Sequence, residues 1–286
     1  MADKRITIAF QGASYAFSEI AARNHFRLPV HTFPRRTFEE VFAAVQDGTA
    51  RYGIIPIENS LTGSIHRNYD LLLENDLKIV GEQFLRIEQH LIANPGVPID
   101  KVRVIYSHPQ ALEQCRAFLS TLPDVEPVAS YDTAGSVRMI RDERRRDAAA
   151  IASRLAAEDY GMNILRSEIE DIPENYTRFL IISPQDSGRS DGDKTSIVFS
   201  MKNIPGALFK SLSVFALRDI DLLKIESRPL RGKPWAYIFY LDFVGHMGQK
   251  QCINAIRHLQ EITTFLKVLG SYVAGGGTDN KGEENE

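Results

Sequence analysis

The chain has 286 residues, of which 43% are hydrophobic and 25% charged, with a formal net charge of -3. That length exceeds one average domain of ~100 to 200 residues, the composition is that of a globular protein and not of a disordered or membrane class, and the charge supplies no basic field for nucleic acid or an anionic membrane. A small molecule is the expected partner. Met1 to Arg5 precede Ile6 without an apolar signal core, and no apolar stretch approaches the ~20 residues that span a bilayer, so a cytoplasmic location follows by elimination. The two cysteines, Cys115 and Cys252, have neither Cys-x-x-Cys spacing nor a neighbouring His cluster. Both are expected as small buried hydrophobes within amphipathic helices, and no disulfide or metal site is expected.

From Ile6 onward short apolar runs alternate with helical patterns, the signature of an α/β sheet. Residues 6–10 predict a buried strand, 14–26 and 38–46 predict helices, and 52–57 predict a strand running into the loop Glu58-Asn59-Ser60. Segment 77–93 reads as a crossover to a second α/β lobe, with strands at 102–106 and 148–152 and helices at 110–119 and 133–142. The basic run Arg141 to Arg146 is interrupted by acids and reads as a solvated helix end. Two lobes joined by crossing segments make a cleft, a preferred place for a small-molecule site. After a strand at 179–183, the turn-rich run 184–193 predicts a linker. Strand 195–201, helix 207–217, strands 223–229 and 236–244, helix 249–260 and strand 265–272 then follow the βαββαβ order of a split ferredoxin-like module. The Gly-rich, acidic end predicts a disordered tail. The expected division is therefore a two-lobed domain at 4–183, a linker at 184–193, a small module at 194–273 and a tail at 274–286.

No Gly-x-Gly-x-x-Gly, Walker, Gly-x-Ser-x-Gly or His-Glu-x-x-His motif is present, so no cofactor is expected. Polar groups instead cluster at predicted element ends: Glu58-Asn59-Ser60, Ser107-His108-Pro109-Gln110 and Asn175-Tyr176-Thr177-Arg178-Phe179. The Arg178 fork suits a carboxylate, and Thr177, Ser107 and His108 supply donors. Each residue also has a plain structural reading: Ser107 or Asn175 as a cap or turn residue, and His108 as a structural histidine.

Taken together, the motifs resemble the prephenate dehydratase family. Tyr160-x-Met162-x-x-Leu165, Asp171 and Thr177-Arg178-Phe179-Leu180-x-Ile182 resemble its Thr-Arg-Phe motif. Pro56-Ile57-Glu58-Asn59-Ser60 with Gly63, Asp70 and Leu71 resembles its Glu-Asn-Ser motif, and Ser107-His108-Pro109-Gln110-Ala111-Leu112 a third. The C-terminal module resembles the family's ACT domain, with Gly206-Ala207-Leu208 opening its first helix and Lys224-Ile225-Glu226-Ser227-Arg228-Pro229 in its second strand; Leu223 departs from the Ser or Thr usual before that Lys. The loop Gly12 to Glu19 departs further, with Tyr15 where the family carries Gly. Ala16 and the segment Ser64 to Leu73 look like the plant arogenate dehydratase branch.

The resemblance implies two α/β lobes similar to type 2 periplasmic binding proteins plus an ACT domain, in a homodimer or homotetramer. With only Met1 to Arg5 ahead of the first strand, no chorismate mutase domain is expected. The implied reaction converts prephenate to phenylpyruvate, with L-phenylalanine as allosteric effector. The alternatives are arogenate as substrate, or a non-enzymatic ligand sensor. Thr177 is implied to act on the departing hydroxyl and Arg178 to hold the pyruvyl carboxylate. Asn59, Ser60, Ser107 and His108 are implied to fix the ring and its second carboxylate. Glu58, Asn175 and Ser18 complete the expected set, and Phe179 either packs on the ring or belongs to the core. The expected phenylalanine pocket comprises Asn203, Gly206, Ala207, Leu208, Glu226, Ser227 and Arg228.

Overall fold

The computed structural model describes residues 6–27, 29–186, 194–230 and 232–275; most of the expected linker and nearly all of the expected tail lie outside them. In chain order the elements are β1 (Ile6–Gln11), α1 (Phe17–Phe26), β2 (Val30–Arg35), α2 (Phe38–Gln46), β3 (Tyr52–Asn59), β4 (Gly63–Ser64), α3 (His66–Glu74), β5 (Lys78–Arg86) and β6 (His90–Ala93). There follow β7 (Val104–Ser107), α4 (Pro109–Gln114), α5 (Arg116–Ser120), β8 (Glu126–Ala129), α6 (Thr133–Asp142), β9 (Ala148–Ala152), α7 (Arg154–Tyr160), β10 (Asn163–Arg166) and β11 (Tyr176–Ser183). The last are β12 (Lys194–Ser200), α8 (Ala207–Ala216), β13 (Leu222–Pro229), β14 (Tyr237–Val244), α9 (Lys250–Ile262) and β15 (Phe265–Tyr272).

The chain divides into two compact units, Met1–Ile65 with Gln83–Phe179, and His66–Glu82 with Leu180–Glu286. One sheet runs β2-β1-β3-β11-β5 with β4 on β3, and the next runs β8-β7-β9-β6-β10. Both sheets contain a run of three strands ordered second, first, third, β2-β1-β3 in one and β8-β7-β9 in the other; β11 and β5 extend the first run, and β6, which precedes its run in the chain, and β10, which follows it, extend the second. β9 explains why its sequence is an unbroken apolar run. It pairs with β7 in parallel and β6 antiparallel, and Ala149 and Ile151 pack into one core cluster while Ala148, Ala150 and Ala152 pack into another on the opposite face.

Local chemistry moves several expected boundaries. The helix expected from residue 14 begins at Phe17, because Tyr15 stands at φ 71, a left-handed conformation that a helix cannot contain. The turn is held by Glu19, whose Oε2 accepts from the Tyr15 N–H at 2.6 Å. The helix expected over 110–119 is two short helices broken at Cys115 (φ -115, ψ 23), so that cysteine is buried at a helix junction and not within one helix. Asp171 caps the second piece, its carboxylate accepting from the Ala117 N–H at 3.0 Å. Segment 77–93 is two strands, β5 and β6.

In the second unit β12, α8, β13, β14, α9 and β15 form the βαββαβ module, with the sheet ordered β13-β14-β12-β15. Its helices cover one sheet face through Ile197, Phe199, Leu241 and Phe243. The other face carries residues 66–82. Tyr69 packs on Tyr240 with ring centroids 4.8 Å apart, the Tyr240 hydroxyl donates to the Tyr69 carbonyl at 2.8 Å, and buried Lys194 pairs with Glu82 at 3.0 Å. Gly270 is required there, because a Cβ would stand 2.1 Å from the Ile79 carbonyl oxygen.

Candidate active site

In the first unit a cavity of about 410 Å³ takes residues from both lobes. Strand β11 sets one wall. Its pleat sends Thr177 and Phe179 into the cavity, while the intervening Arg178, 6% exposed, does not line it. Period-two alternation thus separates the two residues that sequence chemistry pairs for catalysis.

Asn59, at the end of β3, fixes the state of the Thr177 hydroxyl. Its Oδ1 accepts from the backbone N–H groups of Leu61 and Thr62, both at 3.1 Å. Backbone amides only donate, so the amide orientation is determined and Nδ2 faces Asn175 Oδ1 at 2.7 Å and Thr177 Oγ1 at 3.0 Å. Because Thr177 accepts a hydrogen bond from Asn59, its own proton is left to donate, and the residue lines the cavity. The chain of bonds continues outward: Gln110 Nε2 donates to Thr62 Oγ1 at 3.0 Å, and that hydroxyl reaches Asn59 Oδ1 at 3.3 Å.

Three helix starts meet at the same cavity: Ala16 to Ser18 of α1, His108 to Gln110 of α4, and Asp132 to Thr133 of α6. No side chain caps α1. Unpaired first-turn N–H groups attract anions, so the cavity can receive carboxylates although no Lys or Arg lines it among the described residues. His108 accepts from the Gln110 N–H through Nδ1 at 3.2 Å, which places the proton of the neutral ring on Nε2. Burial holds this imidazole below its ordinary value of 6.5, against the opposing pull of Asp132. It is a neutral donor at neutral pH.

Of the expected residues, the cavity brings together Ser18, Asn59, His108, Thr177 and Phe179. The others serve the frame. Ser107 is fully buried and donates to the Ile151 carbonyl at 2.6 Å, tying β7 to β9. Ser60 joins the end of β3 to the start of β11, accepting from the Tyr176 N–H at 2.9 Å and donating to the Glu174 carbonyl at 3.0 Å. Asn175 is buried and anchors Asn59, and Glu58 lies opposite Ser64 on β3. The sequence reading missed Gln11, Gln89, Gln114, Tyr131, Asp132 and Thr133, which also line the cavity. Only the start of α6 carried a signal, since Asp before Thr-Ala-Gly is a helix-capping pattern, and Asp132 does cap Gly135. Burial pushes the Cys115 thiol well above its ordinary value, so it is inert.

The second unit has its own cavity of about 200 Å³, lined in part by Asn203, Gly206, Ala207, Leu208, Tyr237 and Phe239. Gly206 adopts φ 77 as the N-cap of α8. Glu226 and Arg228 do not line this cavity. Alternation along β13 turns them toward α3, where Glu226 meets His66 at 3.2 Å and Arg228 meets Asp70 at 3.2 Å. Ser227 falls on the opposite face, directly across from the cavity-lining Phe239.

Comparison with known proteins agrees with this architecture. Residues 8–187 match the family model described as prephenate dehydratase. Arogenate dehydratase/prephenate dehydratase 2, chloroplastic, of Arabidopsis thaliana is 47% identical over 94% of this chain and 73% of its own length. Among solved structures, prephenate dehydratase from Arthrobacter aurescens in complex with L-Phe aligns with TM-score 0.84 at 31% identity, covering 94% of this chain and 90% of that one. A structure described as GqqA, a novel type of quorum quenching acylases, aligns with TM-score 0.86 at 37% identity, covering 94% of this chain and 98% of that one. With the family matched over both lobes, and a βαββαβ module of ACT type following them, the chain belongs to the prephenate dehydratase family of lyases.

Proposed function

We propose that the first unit catalyses the decarboxylating dehydration of a prephenate-type cyclohexadienol, with arogenate converted to phenylalanine and prephenate to phenylpyruvate. The observation that carries this reading is the Thr177 hydroxyl, which lines the cavity and accepts from the Asn59 amide, so that its own proton remains to be donated. As the ring carboxylate leaves as CO2, its bonding electrons enter the ring and the ring C–O bond breaks. The departing hydroxide takes one proton and leaves as water. Thr177 donates a hydrogen bond to that oxygen, a general-acid contribution of ~10² to 10⁴ in rate. The remaining carboxylate is held by first-turn N–H groups of the helices that open on the cavity. Arogenate takes precedence over prephenate here, because Ala16, the residue that looks like the arogenate dehydratase branch, lines the cavity.

We further infer that phenylalanine acts at the second unit, whose small cavity is lined by Asn203 and the Gly206-Ala207-Leu208 turn. A relative of the same architecture is known in complex with L-Phe.

The test is direct. Purified protein is given arogenate or prephenate, each with and without phenylalanine, and formation of phenylalanine or phenylpyruvate is followed. Turnover of neither substrate would remove the reading. The likeness to GqqA gives a second reading, an acylase. Acyl transfer by Thr177 would need a general base bonded to its hydroxyl; the bond present there comes from a donor, Asn59. Release of amine from N-acyl substrates, with no dehydratase turnover, would favour the acylase.

A further inference from the structure

The polar wall of the cavity is short of donors at two places. Asp132 is the single carboxylate among the described lining residues, and no lysine or arginine accompanies it. Its Oδ1 accepts from the Gly135 N–H to cap α6, while its main-chain oxygen accepts from Ser130 and Ser136, which leaves Oδ2 with lone pairs to offer. Gln89 also lines the cavity, is 2% exposed, and has its Oε1 buried without a partner. An acceptor buried without a donor is costly. Substrate carboxylates satisfy neither group, because an ionised carboxylate only accepts.

The two substrates of the dehydratase reading differ at this point. Prephenate carries a 2-keto group, an acceptor, and its ring hydroxyl is its one donor. Arogenate carries an ammonium in its place, with three N–H donors and a positive charge. We propose that Asp132 is a specificity-determining residue that binds this ammonium and so selects a 2-amino acid over the corresponding 2-keto acid. The first-turn N–H groups of α6 adjoin Asp132 in the chain and suit the carboxylate that neighbours the ammonium. A keto acid in the same place sets a dianion against Asp132 with no positive charge between them, a like-charge juxtaposition that binding sites use for rejection. The assignment rests on the dehydratase reading of the site.

Asp132→Asn and Asp132→Ser both keep an oxygen that can cap α6, so the charge is removed without removing the cap. The measurement is kcat/KM for arogenate and for prephenate in wild type and both variants. The value for arogenate is expected to fall ~10- to 100-fold and that for prephenate to rise, so the ratio of the two falls at least ~10-fold in each variant. A ratio that changes less than this in either variant, including equal losses on both substrates as from a purely structural cap, overturns the assignment. Wild-type protein inactive on both substrates would defeat the dehydratase reading and the assignment with it. Activity with an unmoved ratio defeats the assignment alone.

Discussion

Asn59 Nδ2 lies 3.0 Å from Thr177 Oγ1, and because the other end of the Asn59 amide is fixed by two backbone N–H groups, the threonine can only accept from it. This one bond makes Thr177 an acceptor toward Asn59 and leaves its own proton for another partner. Replacing Thr177 by Ala is expected to lower kcat ~10²-fold or more with little change in KM, and Thr177→Ser to retain more activity. Asn59→Asp makes the sharper test. A carboxylate would take the Thr177 proton for itself, so kcat should fall although the hydroxyl is still present. The double variant should be no worse than the worse single one, since the two residues act as a unit. Additive losses would show that Asn59 acts elsewhere.

Arg178→Lys is expected to lower the melting temperature while leaving KM nearly unchanged, because Arg178 is buried on the side of β11 that does not line the cavity. Steady-state kinetics with thermal melts separate the outcomes. A KM increase of ~10-fold or more would return Arg178 to the substrate carboxylate, where a fork cannot be replaced by a point charge.

How far the site was legible follows from these two neighbours. The chemistry of Thr177-Arg178-Phe179 is visible in sequence, but which of the three faces the cavity is decided by the phase of the pleat, and a buried strand apolar on both faces gives no alternation from which to read that phase. In β13 the alternation itself is legible, Lys224, Glu226 and Arg228 against Leu223, Ile225 and Ser227, but which of the two faces meets α3 is set by the fold. Asp70 and Arg228 belong to two separately recognised motifs, yet only the fold brings them to 3.2 Å. Glutamines 11, 89 and 114 were illegible for another reason: each stands alone in its segment, and a lone neutral amide carries no pattern. The order of elements was read well because strand and helix periods are local, with β9, α2, α6 and β15 found at their expected bounds.

Ala16 lies at the uncapped start of α1 and lines the cavity. Ala16→Thr is expected to change the ratio of arogenate to prephenate turnover, since it adds a hydroxyl and a methyl group at a wall of the site. Space there is tight: a Cβ on Gly12 would stand 3.2 Å from the Ala16 Cβ. Competition between the two substrates in one reaction reports the ratio directly. If it does not change, specificity is set elsewhere on the wall.

The folded state holds His108 below its ordinary value of 6.5, chiefly by burial, and uses the neutral ring as the N-cap acceptor of α4. The unfolded chain therefore binds a proton first as pH falls. Stability from this group is complete above about pH 6.5 and declines as pH drops below it toward the depressed folded value. Melting temperature should accordingly decline below that pH. His108→Asn should flatten part of the decline, and His90, which burial also depresses, contributes to what remains. An identical slope in the variant would show that His108 is not held neutral.

Phenylalanine is expected to bind the second unit and lower turnover through a coupling between sites, typically ~1 to 3 kcal/mol and reciprocal, so that a substrate analogue weakens phenylalanine binding by the same factor. Asn203→Ala should weaken that binding because Asn203 lines the small cavity, and Ser227→Ala should do so less, since Ser227 faces the same side across from Phe239 without lining it. Neither change touches the first unit, so kcat without phenylalanine should stay near wild type. Asp70→Asn tests a different step. It removes the charge opposite Arg228, on the helix that follows the Asn59 loop along the chain, while leaving the small cavity intact. Phenylalanine should then still bind by calorimetry but inhibit less, alongside some loss of stability from breaking a largely buried pair. A chain ended near Ser183 is a poorer test, because Tyr69, Asp70 and Glu82 would lose partners supplied by the module. Undiminished phenylalanine affinity in Asn203→Ala and Ser227→Ala together would place the effector outside this cavity, and normal inhibition in Asp70→Asn would exclude the Arg228 pair as the route.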